Sequence, residues 1–201
     1  MKLVAITGSI GCGKTTLAKI IKNLGYAVFD IDAWVRTIYN NKEFLSKLSF
    51  VFPESIKDGC ADKRYLRKIV FSDKNKLEKL EGLIYPFLNQ KIRQTITKKA
   101  KDDVLCFLDA ALLFEKGWDK YCHFVILADA SYEIRKKRVM ERDKVSEEDF
   151  DKINNIQLKN SDKKILSDVV IDTNKNLNLL KVDLIKIING IEEYYGQRNC
   201  F

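Results

Sequence analysis

The sequence has little histidine or proline, and it lacks paired cysteines. It contains one histidine and two prolines in 201 residues. Its cysteines form no CxxC pair and show no metal-ligand spacing, so we expect free thiols. His123 begins the apolar stretch His123-Phe124-Val125-Ile126-Leu127, which favours a strand residue over a catalytic base. These absences exclude a disulfide scaffold and any histidine-dependent catalytic triad.

Long apolar runs are also missing. No stretch approaches the roughly 20 residues that a bilayer helix needs. The N-terminal run from Leu3 to Thr7 ends at Gly8, which is too short for a secretory signal. We therefore expect a soluble, cytoplasmic protein. With 46% hydrophobic residues, the chain can bury a substantial core.

The net charge of +8 has two interpretations. A basic surface can bind nucleic acid. Alternatively, the lysines of segments such as 74–76 and 98–101 are scattered over helix faces, and part of the charge matches a phosphate-rich substrate. No basic cluster is interleaved with aromatic residues. We therefore expect a small-molecule substrate, no nucleic acid and no membrane partner, with the chain as a monomer or weak homo-oligomer.

Apolar periodicity predicts an α/β fold. Short apolar runs predict strands at residues 3–7, 26–30, 104–109, 124–128 and 168–172. Apolar residues at three- and four-residue spacing predict a helix after Lys14 and another from Leu177 to Tyr195. Residues from about 33 to 101 have a mostly helical pattern, which indicates a helical insertion between strands.

The segment Gly8-Ser9-Ile10-Gly11-Cys12-Gly13-Lys14-Thr15 matches the phosphate-loop pattern G-x-x-x-x-G-K-[ST] in full. Glycines let the backbone approach an anion closely, and the N-terminus of the following helix adds partial positive charge. A lysine supplies a full charge, and the final hydroxyl can bind Mg²⁺. Because the segment follows a predicted strand and opens a predicted helix, it predicts an ATP site.

Cys12 permits two interpretations. A thiol at a helix N-terminus beside Lys14 can have a lowered pKa and react readily. Alternatively, Cys12 is only a small residue tolerated in the loop.

An acidic segment follows the second predicted strand. An enzyme that transfers phosphate from ATP to an alcohol needs a group that orients the acceptor hydroxyl and takes its proton. In an extended segment Asp30 and Asp32 point the same way, and Asp32 is the candidate base, with Arg36 as a phosphate or substrate contact. The alternative is that Asp32 only caps a helix beginning at Ala33.

Two further features have open interpretations. Asp109 ends the third predicted strand, where a carboxylate can hold Mg²⁺, but polar residues also simply end strands. Arg135, Arg138 and Arg142 share one helix face, which predicts either a solvated surface or a lid that supplies arginines to the transferred phosphoryl group.

Several segments along the chain together carry a family resemblance: Thr7 to Thr16, Gly25, Asp30-Ile31-Asp32 with Arg36, Asp58-Gly59, Leu66 to Phe71, Asp109-Ala110-Ala111-Leu112-Leu113-Phe114-Glu115, Arg138 to Asp143, Gln157, and Asp168 to Asn174. On these segments the whole chain resembles the dephospho-coenzyme A kinase family. It implies phosphorylation of the ribose 3′-hydroxyl of dephospho-coenzyme A by ATP with Mg²⁺.

The resemblance also implies a P-loop kinase fold, with a parallel sheet flanked by helices. The implied parts are a nucleotide-binding core (1–30, 102–133 and 164–201), a helical acceptor domain (31–101) and a helical lid (134–163).

The implied site residues form four sets. Those implied as catalytic are Asp32 as base, with Lys14, Arg138 and Arg142 as charge stabilisers. Those implied to bind nucleotide are Gly8, Gly11, Cys12, Gly13, Lys14, Thr15, Thr16 and Asn174. Those implied to bind the acceptor are Asp32, Arg36, Tyr85, Leu113, Phe114 and Glu115, and those implied to bind metal are Thr15 and Asp109.

The chain departs from the family pattern at three positions. Tyr85 precedes Pro86 where the family commonly has histidine, Ala111 replaces a usual proline, and Lys175 replaces a glycine. Two alternative functions stay open. One is a P-loop kinase for another nucleoside or nucleotide, and the other is a non-catalytic nucleotide-binding regulator.

Overall fold

A computed structural model describes residues 2–99 and 105–197. Predictions that involve Val104, Cys200 or the domain boundaries at residues 1, 101, 102 and 201 lie outside the described residues. The strands are β1 (Lys2–Thr7), β2 (Ala27–Asp30), β3 (Ile56–Lys57), β4 (Cys60–Ala61), β5 (Leu105–Asp109), β6 (Phe124–Asp129) and β7 (Val169–Asp172). The helices are α1 (Lys14–Asn23), α2 (Ile31–Ile38), α3 (Lys42–Val51), α4 (Lys63–Phe71), α5 (Lys74–Lys99), α6 (Tyr132–Asp143), α7 (Glu147–Ile156), α8 (Asn160–Leu166) and α9 (Leu177–Gln197).

The central sheet has the strand order β2-β5-β1-β6-β7. Strand β1 pairs in parallel with β5 and β6, and β6 pairs in parallel with β7. The register places Ile6 opposite Asp109 and Asp129 opposite Asp172. The carboxyl ends of these strands therefore lie at one edge of the sheet, where ligands bind in open α/β folds.

The core lies between this sheet and its flanking helices. Val4, Phe107 and Ile126 are fully buried, and Leu17 of α1 and Leu184 of α9 belong to the same apolar cluster. The strands are short and nearly continuous in apolar residues because both of their faces are covered. The predicted α/β fold with a parallel sheet flanked by helices is confirmed.

The chain divides into two compact units. One comprises residues 1–29 and 100–201, and the other comprises residues 30–99. In the second unit, the side chains of Asp30, Asn41 and Asp62 accept hydrogen bonds from the first turns of α2, α3 and α4. Such capping satisfies N–H groups that have no acceptor within the helix. Phe44, Leu48 and Leu88 are fully buried within this helical unit.

No helix in the part of the chain that the structure describes is long and apolar enough to cross a membrane.

Candidate active site

The phosphate loop connects β1 to α1, as the sequence predicts. Gly8 and Gly11 have φ angles of 148° and 78°. A Cβ at Gly8 would lie 2.5 Å from the carbonyl oxygen of Ala128, and one at Gly11 would lie 2.6 Å from the carbonyl oxygen of Arg135. Any side chain at these positions would collide with backbone, so the loop requires glycine there.

Residues far along the chain hold the loop through hydrogen bonds. The Ile10 N–H donates to Oε1 of Gln157 at 2.8 Å, and the Thr173 hydroxyl donates to the Cys12 carbonyl at 2.7 Å. The Ser9 hydroxyl lies 3.2 Å from Oδ1 of Asn160. These contacts hold the loop in its conformation.

Lys14 and Asp109 form an ion pair at the carboxyl edge of the sheet. Lys14 Nζ lies 2.9 Å from Oδ1 of Asp109, and each side chain is 13% exposed. The pair joins the first residue of α1 to the last residue of β5. Asp109 therefore holds the loop lysine in place, which neither interpretation of Asp109 anticipated.

The hydroxyl of Thr15 and the carboxylate of Asp109 are oxygen donors of the kind that Mg²⁺ binds. Thr15 is exposed in the first turn of α1. The Asp109 carboxylate is paired with Lys14, the residue that precedes Thr15 in this helix. Among residues 2–99 and 105–197, no group of three or more His, Cys, Asp or Glu side chains could hold a metal. Sparse oxygen ligands suit Mg²⁺, which usually keeps waters and binds substrate phosphates.

Cys12 is a packing residue. It is 2% exposed and belongs to the apolar core cluster. Burial raises the pKa of its thiol, and this outweighs the lowering effect of Lys14 and its backbone N–H. The interpretation of Cys12 as a reactive thiol is therefore wrong, because the loop buries its side chain inward.

The three arginines of α6 do not form a common solvated stripe. Arg138 donates to the Thr173 carbonyl at 2.8 Å and lies 3.4 Å from the Gly11 carbonyl, so it contacts the phosphate loop. Arg142 makes two 2.7 Å hydrogen bonds to Asp143 and is 61% exposed. Arg135 is buried against the loop. The predicted catalytic roles of Arg138 and Arg142 stay predictions.

Asn174 follows β7, and its side chain is held locally. Its Oδ1 accepts from the Ser131 N–H at 3.2 Å, and its Nδ2 donates to Asp172 at 2.7 Å. Lys175, at the position where the family has glycine, pairs with Asp183 at 2.6 Å. These contacts order the turn in which a nucleotide contact is predicted.

The turn after β5 contains the other predicted acceptor residues of this unit. Leu113 is fully buried, whereas Phe114 is partly buried. Glu115 accepts from Lys163 at 2.9 Å and from the Leu158 N–H at 2.8 Å. Sequence reasoning missed Lys163, because nothing in its pattern separates this fully buried lysine from Lys164, which is 48% exposed.

The start of α2 differs from the sequence expectation. Residues 30–32 are not one extended segment, because the Asp30 carboxylate accepts from the Ala33 N–H at 2.9 Å and α2 begins at Ile31. Asp30, rather than Asp32, is therefore the cap. Asp32 lies in the first turn of α2, and Arg36 lies one turn further on, 67% exposed.

Tyr85 lies inside α5 and is partly buried. Burial and a hydrogen bond with Glu81 raise the pKa of its hydroxyl. The group therefore stays a neutral phenol at physiological pH. Histidine, which the family resemblance leads us to expect here, could instead carry a positive charge.

Comparison with known proteins places this geometry in a family. The family model described as dephospho-CoA kinase matches residues 2–178. A dephospho-CoA kinase of Fusobacterium nucleatum is 36% identical over 177 residues, covering 87% of this chain and 91% of that protein.

Two solved structures resemble this chain along nearly its whole length. The protein TT1252 of Thermus thermophilus has a TM-score of 0.82 at 32% identity, covering 94% of this chain and 97% of that one. A dephospho-CoA kinase from Campylobacter jejuni has a TM-score of 0.73 at 26% identity, covering 97% and 100%. With its glycine loop, its Lys14–Asp109 pair and a family match over residues 2–178, this chain belongs to the dephospho-CoA kinase family.

Proposed function

We propose that this protein transfers the γ-phosphate of ATP to the ribose 3′-hydroxyl of dephospho-CoA, giving CoA and ADP. One observation carries the proposal: the family match over residues 2–178 includes both the phosphate loop and the acidic segment that contains Asp32. A loop alone would support only nucleotide binding, whereas the acidic segment supplies a group for an alcohol acceptor.

The loop residues bind the triphosphate in this proposal. Gly8, Gly11 and Gly13 allow the backbone to approach phosphate closely, and Lys14 directs its ammonium toward the phosphoryl oxygens. The Lys14–Asp109 pair positions the ammonium at the sheet edge. Cys12 and Thr16 would bind phosphate through their backbone N–H groups. The side chain of Cys12 is buried. Asn174 is proposed to lie near the adenine.

Mg²⁺ would be held by the Thr15 hydroxyl and the Asp109 carboxylate together with phosphate oxygens. The ion would neutralise charge on the phosphates during transfer. Asp109 would then hold the ion, and Lys14 would pair with a phosphate oxygen.

Asp32 is proposed as the general base. Its carboxylate would accept the proton of the attacking 3′-hydroxyl, and Arg36, one turn further along α2, would contact an acceptor phosphate. Because Asp30 already caps α2, Asp32 is not needed for that purpose. Tyr85, Leu113, Phe114 and Glu115 are proposed to line the acceptor site.

Arg138 and Arg142 are proposed to stabilise charge on the transferred phosphoryl group. Arg138 already contacts the loop at Gly11. Arg142 would have to exchange its bond to Asp143 for one to phosphate, which an exposed side chain can do at small cost. A cytoplasmic location, as proposed from the sequence, suits an enzyme that draws on cellular ATP.

A coupled ADP-release assay tests the proposal. Purified protein with ATP and Mg²⁺ is given dephospho-CoA, adenosine, AMP or pantetheine phosphate in turn. We expect rapid ADP release only with dephospho-CoA, and product analysis should find the new phosphate at the ribose 3′ position. Faster turnover of adenosine or AMP would assign the chain to another acceptor. ATP binding without turnover of any acceptor would favour a regulator.

A further inference from the structure

We propose that Arg135 is a positioning residue of the nucleotide site: it fixes the apex of the phosphate loop, at Ile10, and places behind the loop a buried positive charge that has no ion-pair partner among the described residues. The inference rests on the ATP binding proposed above and extends it to a residue outside the loop motif. Arg135 is 6% exposed, and it lies in α6, more than 120 residues from the loop.

Arg135 contacts the loop in two ways. Its Nη1 donates to the Ile10 carbonyl at 3.4 Å. Its own carbonyl lies so close to Gly11 that a Cβ there would be 2.6 Å away. Because the Ile10 N–H donates to Gln157 at 2.8 Å, both backbone polar groups of Ile10 have side-chain partners. The apex of the loop therefore cannot rotate without breaking the Arg135 contact.

The guanidinium is held by neutral groups. It donates to Oδ1 of Asn154 in α7 at 2.8 Å, and its centre lies 5.9 Å from the ring centroids of both Tyr132 and Phe150. Its Nε is buried without a hydrogen-bond partner. Within residues 2–99 and 105–197 it forms no ion pair, and Asp129, the carboxylate whose charge acts on it, is paired with Lys164 at 2.7 Å.

This arrangement is costly unless an anion lies nearby. Arginine stays charged when buried, and a buried charge without a counterion destabilises a protein. A triphosphate in the neighbouring loop would supply the missing negative charge. Because the interior screens charges less than water does, the attraction acts through the loop backbone without direct contact.

Calorimetry with ATP and Mg²⁺, without any acceptor, tests the inference. Arg135→Met removes both the charge and the hydrogen bonds, and Arg135→Lys keeps the charge. The matched control is Lys137→Met, which removes the same charge from an exposed position of α6. We expect Arg135→Met to weaken ATP binding about tenfold or more and Arg135→Lys about threefold at most, with Lys137→Met unchanged.

Melting curves separate positioning from a general loss of structure. Phe44→Leu truncates a fully buried side chain of the helical unit and leaves Arg135 and its neighbours intact, so it should lower the melting temperature and leave ATP affinity nearly unchanged. Wild-type affinity in folded Arg135→Met would overturn the inference, as would equal losses in the Met and Lys variants. Failure of the wild-type protein to bind ATP would instead refute the proposed function, so the two failures are distinguishable.

Discussion

The phosphate loop and the start of α2 are stabilised in opposite ways. The loop depends on partners far along the chain: Ile10 bonds to Gln157 across 147 residues, and Cys12 bonds to Thr173 across 161. The start of α2 depends on a bond between residues three apart, from Ala33 to Asp30. The shape of the loop is thus a property of the fold, whereas the helix start is a property of the local sequence.

The ion pairs of the two regions also differ, in the distance between the charged atoms and in side-chain exposure. The Lys14–Asp109 pair is 2.9 Å long and mostly buried. The Arg36–Asp30 pair is 3.8 Å long, with the two side chains 67% and 37% exposed. Exposed pairs contribute little because water and salt screen them. The loop lysine is therefore held rigidly, while Arg36 can move toward a ligand.

The largest expected effect is at Lys14, on the rigid side of this comparison. Lys14→Ala should reduce turnover by about 10³-fold or more, because the transition state loses its loop charge. Its melting temperature should change far less. Lys19→Ala, at an exposed position of the same helix, is the control. Steady-state kinetics beside melting curves measure both, and near-normal turnover of Lys14→Ala would contradict the proposed role.

Asp32→Asn tests the start of α2, the region that depends on local contacts. We expect turnover to fall by about 10² to 10⁴-fold with ATP binding retained, since the amide cannot accept the hydroxyl proton. The matched control is Asp30→Asn, because asparagine caps helices as well as aspartate does. That control should keep most activity. If the two variants lost activity equally, Asp32 would have no special role as the base.

Thr173→Val probes a long-range contact of the loop. The hydroxyl is within hydrogen-bond distance of the carbonyls of Cys12 and Asp129, and the residue is 2% exposed. The substitution removes the hydroxyl that donates to the Cys12 carbonyl, whereas the Asp129 carbonyl keeps its bond from the Thr173 N–H at 2.8 Å. The loss should lower the free energy of unfolding by about 1–3 kcal/mol and also weaken ATP binding.

Thr97→Val is the control, since Thr97 is exposed and its hydroxyl donates within α5, to the Arg93 carbonyl. It should change the free energy of unfolding by about 0.5 kcal/mol at most. Denaturant titration measures both variants. Equal changes would mean that the loop contact contributes nothing special.

Thiol labelling tests the burial of the loop directly. Cys60 is exposed, whereas Cys12 is buried with a raised pKa. At pH 7.5 an alkylating reagent should modify Cys60 readily and Cys12 only after unfolding, as followed by peptide mass spectrometry. Fast labelling of Cys12 that ATP suppresses would show that the loop opens in solution.

The smallest effect concerns His123, whose Nδ1 accepts from the Leu3 N–H at 3.2 Å. Partial burial and nearby Lys2 lower its pKa below 6.5. In the window between the folded and unfolded values, the unfolded state binds more protons, so stability rises with pH. The stabilisation is therefore complete above about pH 6.5 and is lost as pH falls through the folded pKa.

A titration of melting temperature from pH 8 to 5 should show this effect as a difference between the wild type and His123→Gln. The variant keeps an acceptor for Leu3 but does not ionise. The wild type should lose stability more steeply toward acid. Parallel curves would show that His123 does not contribute.

Local patterns in the sequence determined much of this protein. The predicted strands and helices of the core agree with the structure to within one or two residues at almost every end, because short apolar runs and three- and four-residue spacing report burial directly. The phosphate loop was recognisable because its chemistry needs glycines, lysine and threonine at fixed spacing. Residues 143–163 look polar in sequence, yet α7 forms there, capped by Ser146 and with Phe150 buried, and α8 begins at Asn160 and buries Lys163.

Only the tertiary structure decided which of several similar residues act together. Arg135, Arg138 and Arg142 are equivalent in the sequence, but one is buried behind the loop, one contacts it, and one bonds to Asp143. The pairing of Lys14 with Asp109 joins residues 95 positions apart. Such contacts depend on strand order and register, and helical or strand periodicity carries no information about partners that distant.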